Sequence, residues 1–218
     1  MPCGLNQVCS SLCGGTLIDD RHVLTAAHCI NTENPASITI TAGVHNRLDN
    51  EAGTRQVRMV EIIFKHPQYN PNTVANDITI LRLAEPVEFT KYVQPACLSG
   101  PEPKPDDAVV LIGWGSLELH GSAYHTLKQT KVRVIGDCER YWPQINNAKQ
   151  VCVANPTSGD SACKGDSGGP MLYEHNGQWF VAGVTSFGSS FGCATDGNFP
   201  PNVYTRVSAY LPWIQSIV

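Results

Sequence analysis

GDSACKGDSGGP, residues 159–170, is the stretch on which the reading turns. Ser167 stands between Gly165 and the pair Gly168-Gly169, so backbone can approach a bound ligand closely on both sides of one hydroxyl. A serine hydroxyl is a weak nucleophile. It needs a base within hydrogen-bond reach, and the base needs a third group to fix its tautomer. Two residues elsewhere have a matching context. His28 lies in LTAAHC, residues 24–29, on an apolar segment beside a cysteine that could anchor it. Asp77 lies in ANDITILRL, residues 75–83, an acid at the mouth of an apolar strand. If these three meet, the fold must bring together segments far apart in the chain.

The totals are compatible with that. A chain of 218 residues can build one sizeable core or two small ones. Hydrophobic residues make up 42% and charged residues 16%, without blocks of charge, which argues against disorder and coiled coil. The formal charge of −4 has no Lys/Arg-rich stripe, so nucleic acid is not an expected partner. No apolar run approaches the ~18 residues of a membrane span. Nine scattered cysteines favour disulfides and an oxidising compartment. A zinc set drawn from Cys9, Cys13, His28 and Cys29 is the competing reading, and no repeated spacing supports it. Secretion is expected from the cysteines, although Met1-Pro2-Cys3-Gly4 does not read as a leader.

Strand-like runs dominate, at 37–42, 57–64, 77–83, 108–113, 131–135 and 179–184, each bounded by Gly, Pro, Asn or Asp. Asn176-Gly177, between apolar runs at 171–173 and 179–184, predicts a hairpin. SGPEPKPDD, residues 99–107, holds three prolines and four charges and reads as a linker. A helix is expected at the C-terminus, capped by Ser208, with Tyr210, Trp213, Ile214 and Ile217 on one face and Pro212 in its first turn. Pattern alone thus predicts an all-β chain. Its units are an antiparallel β unit at 1–98 carrying His28 and Asp77, the linker, a second β unit at 108–206 carrying Ser167, and a helix at 207–218.

CGGTLIDDRHVLTAAHC (13–29), NDITILRL (76–83), GWG (113–115), GDSGGP (165–170) and VTSFGSS (184–190) occur in one order. That series resembles the chymotrypsin-like serine proteases, from about Cys13 to Val218, and is closest to the elastase and chymotrypsin-like members. Five motifs in sequence are specific where any single one is weak. The resemblance implies two antiparallel six-stranded-type β-barrels, the first incomplete, with a C-terminal helix. It implies Ser167 as nucleophile, His28 as general base and then acid, and Asp77 as the group that orients His28. Gly165 and Ser167 would supply the backbone N–H groups of the oxyanion hole. Ser186 would support Asp77, and residues 186–188 would pair with an extended substrate. Alone, His28 could be a packed core histidine, Asp77 a turn residue and Ser167 a loop serine; jointly that reading is improbable. The other histidines, His22, His45, His66, His120, His125 and His175, read as surface or packing residues.

The same resemblance implies the bridges Cys13–Cys29, Cys138–Cys152 and Cys163–Cys193. Another family bridge would join the positions of Val109 and Tyr173, where both partners are absent together. Cys3–Cys97 is the preferred fourth pair, with Cys9 left over; exchanging Cys3 and Cys9 is the next choice. Ser161 would lie at the base of the substrate pocket, where trypsin carries an acid, so cleavage after Arg or Lys is disfavoured. Gly188 leaves one wall open and Asn202 narrows the depth, which points to small or medium apolar side chains, with large aromatics second. Asp196 and Lys164 read as exposed charges. No metal or cofactor is expected. In the loop matching the calcium site of trypsin, Val44 and Thr54 hold two of the acidic positions and only Glu51 remains.

Active members of this family pair a freed N-terminal amine with the aspartate before the nucleophile, here Asp166. No Ile-Val-Gly-Gly-like string occurs in the chain, and Gln7-Val8 reads as a stub of the first strand. The expectation is therefore a secreted serine endopeptidase whose chain, as written, is zymogen-like, with an exposed strand edge on its first barrel. Its partners would be protein or peptide substrates and protein inhibitors, and it would act as a monomer. A catalytically silent binding protein on the same fold is the alternative, which three intact triad residues disfavour.

Overall fold

The structure, a computed structural model, describes residues 12–49, 51, 53–116, 121–155, 157–190, 192–193 and 200–218. Its first half is a curled five-stranded antiparallel sheet. The strands are β1 (Thr16–Leu17), β2 (His22–Thr25), β3 (Thr39–Ala42), β4 (Gln56–Lys65) and β5 (Thr79–Leu83), in the order β1-β2-β5-β4-β3. The second half closes into a six-stranded barrel. Its strands are β6 (Ala108–Gly113), β7 (Lys128–Ile135), β8 (Gln150–Ala154), β9 (Pro170–His175), β10 (Gln178–Phe187) and β11 (Asn202–Arg206), in the order β10-β11-β8-β7-β6-β9. The architecture is the expected one: all-β, one closed barrel, one half-barrel and a C-terminal helix.

The strand patterns follow burial. In β5, Thr79, Ile80, Leu81 and Leu83 are all buried, as a central strand covered on both faces requires. The Asn176-Gly177 turn has positive φ at both residues, 52° and 78°, and Gln178 pairs with His175 across it. That backbone twist suits a two-residue hairpin, and Asn and Gly accept it at low cost. Strands β1, β2, β8 and β11 carried no recognised sequence signal. β8 is buried at all five positions, so it has no alternation to detect.

The C-terminal helix differs from expectation. Val207–Tyr210 form a 3₁₀ turn, and the α-helix proper, α1, spans only Leu211–Gln215. Ser208 is not a cap: its hydroxyl donates to the Glu102 carboxylate, a stronger acceptor that the 99–107 segment carries past it. Pro212 does fall in the first turn, where its missing N–H costs nothing.

One apolar cluster crosses the two halves. Leu24, Ala26, Ile78 and Ile80 of the first sheet pack with Val181, Val184, Val207, Tyr210 and Ile214 of the second half. Burying each large aliphatic side chain contributes about 1.5–3 kcal/mol, so this shared cluster fixes the segments holding His28 and Asp77 against the barrel holding Ser167. No helix is long and apolar enough to cross a membrane among the described residues.

Candidate active site

Strand register assembles the site. β2 and β5 pair antiparallel with Thr25 opposite Thr79. The chain leaves β2 toward His28 at the same end at which it enters β5 from Asp77, so the two residues emerge side by side. Asp77 is fully buried. Its Oδ1 accepts the His28 backbone N–H at 2.9 Å, and its Oδ2 lies 2.8 Å from His28 Nδ1. A carboxylate only accepts, so this contact selects the tautomer with the proton on Nδ1 and leaves Nε2 basic. Ser186 Oγ donates to the same Oδ2 at 2.5 Å, and Thr205 Oγ1 donates to the Asp77 carbonyl at 2.8 Å.

Ser186 reaches Asp77 because of a bulge. Between Thr185, opposite Tyr204, and Phe187, opposite Val203, β10 gains one residue relative to β11. That extra residue is Ser186, and a bulge re-aims a side chain that regular pleating would send elsewhere.

The Ser167 loop is tied to the same place. Gly168 N–H donates to the Thr185 carbonyl and Thr185 N–H to the Gly169 carbonyl, each at 2.9 Å. Gly14 N–H donates to the Ser167 carbonyl at 2.7 Å, and Thr25 Oγ1 donates to Gly14 O at 2.8 Å. Gly168 has φ 77°, and a Cβ there would collide with Thr25 Oγ1 and sit 3.1 Å from Ala26 N. The serine loop therefore packs directly on the segment leading to His28, and only glycine permits the approach. Among the described residues, no hydrogen bond joins Ser167 Oγ to His28; in unliganded sites this contact is often long. Neither the Gly165 nor the Ser167 backbone N–H donates to another described residue, whereas their neighbours Asp166, Gly168 and Gly169 all do. These two N–H groups flank Asp166 in the chain.

The Asp166 carboxylate is held by two backbone groups. Its Oδ1 accepts the Gly115 N–H at 2.7 Å and its Oδ2 the Cys163 N–H at 3.0 Å. No cation pairs with it among the described residues. Burial pushes its carboxyl above the usual carboxylate range, with the two backbone N–H groups offsetting part of that push. A Cβ at Gly113 or Gly115 would strike this carboxylate, so both glycines of GWG are required by its position.

At the side of the site, Asn202 is buried and its Nδ2 donates to Ala162 O at 2.7 Å. A Cβ on Gly188 would collide with Asn202 Oδ1, so the carboxamide lies across the opening that Gly188 leaves. Ser161 Oγ donates to the adjacent Ala162 O at 3.2 Å. Trp142 stacks edge-on against Phe187, with ring centroids 5.2 Å apart.

The bridges Cys13–Cys29, Cys138–Cys152 and Cys163–Cys193 are formed. The first consumes two of the thiols that the zinc reading needed, so that reading is discarded. Cys97 is exposed and unpaired among the described residues. Cys3, Cys9, Gln7-Val8, His120 and Asp196 lie outside the described residues. In the loop matching the calcium site, Glu51 accepts backbone N–H groups of His45 and Asn46, and Arg55 Nη2 donates to the carbonyls of Asn46, Arg47 and Asp49. Among the described residues no cluster of His, Cys, Asp and Glu has metal-site geometry.

Sequence reasoning missed Asn76, Lys149, Thr205 and Tyr210, all of which bear on Asp77. The signal available was an asparagine directly before the acid, since asparagine tolerates the left-handed φ of 55° found there.

Comparison with known proteins gives a consistent result. Residues 4–214 match the family described as Trypsin. Chymotrypsin-like elastase family member 1 of Rattus norvegicus is 38% identical over 217 residues, covering 94% of this chain and 78% of that protein. Chymotrypsin-C of Bos taurus is 40% identical over 213 residues, covering 93% of this chain and 76% of that protein. Transmembrane protease serine 9 of Rattus norvegicus is 39% identical over 207 residues, and the chain spans 19% of its length.

Proposed function

The chain belongs to the trypsin family of chymotrypsin-like serine proteases, and from that premise we propose that it hydrolyses peptide bonds through Ser167, His28 and Asp77. Ser167 Oγ attacks the scissile carbonyl while His28 Nε2 takes its proton. Asp77 holds the Nδ1–H and stabilises the imidazolium that forms. The N–H groups of Gly165 and Ser167 receive the oxyanion, where one donor is worth roughly 10²–10³ in rate. His28 then returns the proton to the leaving amine, and water repeats the sequence on the acyl-enzyme. The observation carrying this reading is the His28–Asp77–Ser186 hydrogen-bonded chain packed against the Ser167 loop.

The pocket is read as taking small or medium apolar side chains. The supporting observation is the Asn202 carboxamide lying across Gly188, with a neutral Ser161 in place of an acid. Three disulfides support an oxidising, extracellular setting. Protein inhibitors are further expected partners, and the active form is read as a monomer. The zymogen-like reading is supported by Asp166, a half-buried carboxylate that has backbone N–H groups and no cation among the described residues.

Turnover of neutral peptide substrates, together with stoichiometric labelling of Ser167 by a fluorophosphonate, tests the reading. Ser167→Ala is expected to lower kcat by roughly 10⁶. Turnover that survives Ser167→Ala would refute the assignment, and a folded parent chain that binds peptides without cleaving them would favour the binding-protein alternative. Slow labelling of the parent chain is the zymogen-like outcome; fast, complete labelling would overturn that part.

A further inference from the structure

We propose that Lys149 and Tyr210 are positioning residues for the His28–Asp77 pair, acting from the C-terminal half through the side chain of Asn76. The proposal rests on the catalytic assignment of that pair. Asn76 directly precedes Asp77 and holds a left-handed φ of 55°. Its Oδ1 accepts two hydrogen bonds, from Lys149 Nζ at 2.9 Å and from Tyr210 OH at 3.0 Å. Its Nδ2 donates to Gln68 O at 2.8 Å. Both lone pairs of the carboxamide oxygen are therefore used, and both by the other half of the molecule.

The backbone around the acid is pinned in turn. Ile78 N–H donates to Asn76 O at 2.9 Å, closing a tight turn centred on Asp77. A left-handed asparagine is tolerated but not preferred. Without its side-chain anchors, Asn76 is free to return toward ordinary φ, and that rotation swings the next residue. Because Asp77 contacts His28 through both carboxylate oxygens, such a swing cannot preserve both contacts. Lys149 lies just before β8, and Tyr210 ends the 3₁₀ turn before α1. The base and its orienting acid sit on the first half and the nucleophile on the second, so a strut between the halves at Asn76 fixes their relative placement.

The charged and titratable groups around the pair fit this role. They are His28, His66, Tyr69, Lys149 and Tyr210. Burial and the Asp77 charge push Tyr210 up to about 12, which keeps its hydroxyl a neutral donor. Burial, and then the Lys149 ammonium, hold His66 below its ordinary value, and its ring meets Tyr210 edge-on with centroids 5.3 Å apart.

The test uses the full chain and two charge-neutral variants. Asn76→Gly keeps the left-handed backbone accessible and removes the carboxamide; Tyr210→Phe removes one donor and keeps the ring. Proton NMR follows the low-field resonance of the His28 Nδ1–H and its exchange with water, a readout independent of turnover. Losing a hydrogen bond of usual strength predicts roughly tenfold faster exchange. Steady-state kinetics should show kcat reduced roughly 10- to 100-fold with KM close to the parent value. Tyr173→Phe deletes a comparable tyrosine hydrogen bond, to Asp107, at a distant position and should leave the resonance unchanged. Unchanged exchange in folded Tyr210→Phe and Asn76→Gly would overturn the proposal, and Tyr210→Phe decides alone if Asn76→Gly does not fold. If exchange accelerates while the parent neither turns over peptide nor is labelled at Ser167 by a fluorophosphonate, even slowly, the positioning role stands and the protease reading falls.

Discussion

At the residue scale the carboxylates divide by what surrounds them. Asp19 is partly buried, which alone would raise its pKa, yet N–H groups of Arg21 and His22 and the His22 ring at 2.7 Å hold it below the usual value. Asp166 has two backbone donors and no cation among the described residues, and burial leaves it above that value. The two therefore contribute to stability with opposite sign. For Asp19 the folded state favours the ionised form, so its contribution is present at neutral pH and lost as pH falls through its lowered pKa. For Asp166 the folded state favours the protonated form. Its penalty is present above the raised pKa and disappears as pH falls toward the unfolded value. Carboxyl carbon NMR should place the Asp166 midpoint above, and that of Asp19 below, an exposed aspartate in the same protein. An Asp166 midpoint at or below the exposed value would contradict the burial argument.

At the scale of elements, the turn at Gly168 joins the two halves of the proposed catalytic apparatus. Its φ of 77° and the contact with Thr25 and Ala26 admit no side chain. Gly168→Ala must displace either the serine loop or the approach to His28. Misplacement of about 1 Å costs roughly 10²-fold in rate, so kcat should fall by about that factor. A variant with parent-like kcat would show that the loop has slack the close packing denies. The bulge at Ser186 acts at the same scale, since it turns a strand hydroxyl onto the carboxylate of the buried acid.

For the whole molecule, the shared cluster sets cooperativity. Ile214 of α1 is buried in one cluster with Leu24, Ile78 and Ile80 as well as Val181 and Val184, so the C-terminal helix supports the His28 half as well as its own. Ile214→Ala should cost about 2–5 kcal/mol, read from urea unfolding. Because the cluster spans both halves, one transition should shift as a whole; separate transitions for the halves would contradict this packing.

The sequence by itself determined the family, the all-β class and the Asn176-Gly177 hairpin, and it named the three residues proposed for the site. These are local: glycines flanking a serine, a histidine beside a cysteine, an acid opening an apolar strand, a turn dipeptide. It did not reveal the short strands β1 and β2 or the largely buried β8 and β11, because so few residues give no period and near-complete burial gives no alternation. It also misassigned Ser208, whose hydroxyl found a carboxylate remote in sequence. What tertiary structure alone decided is the geometry around Asp77. The Ser186 bulge, the Thr205 bond and the Asn76–Lys149–Tyr210 strut each join residues at least 73 positions apart. Such contacts depend on strand register and on the packing of the two halves, which no local pattern encodes.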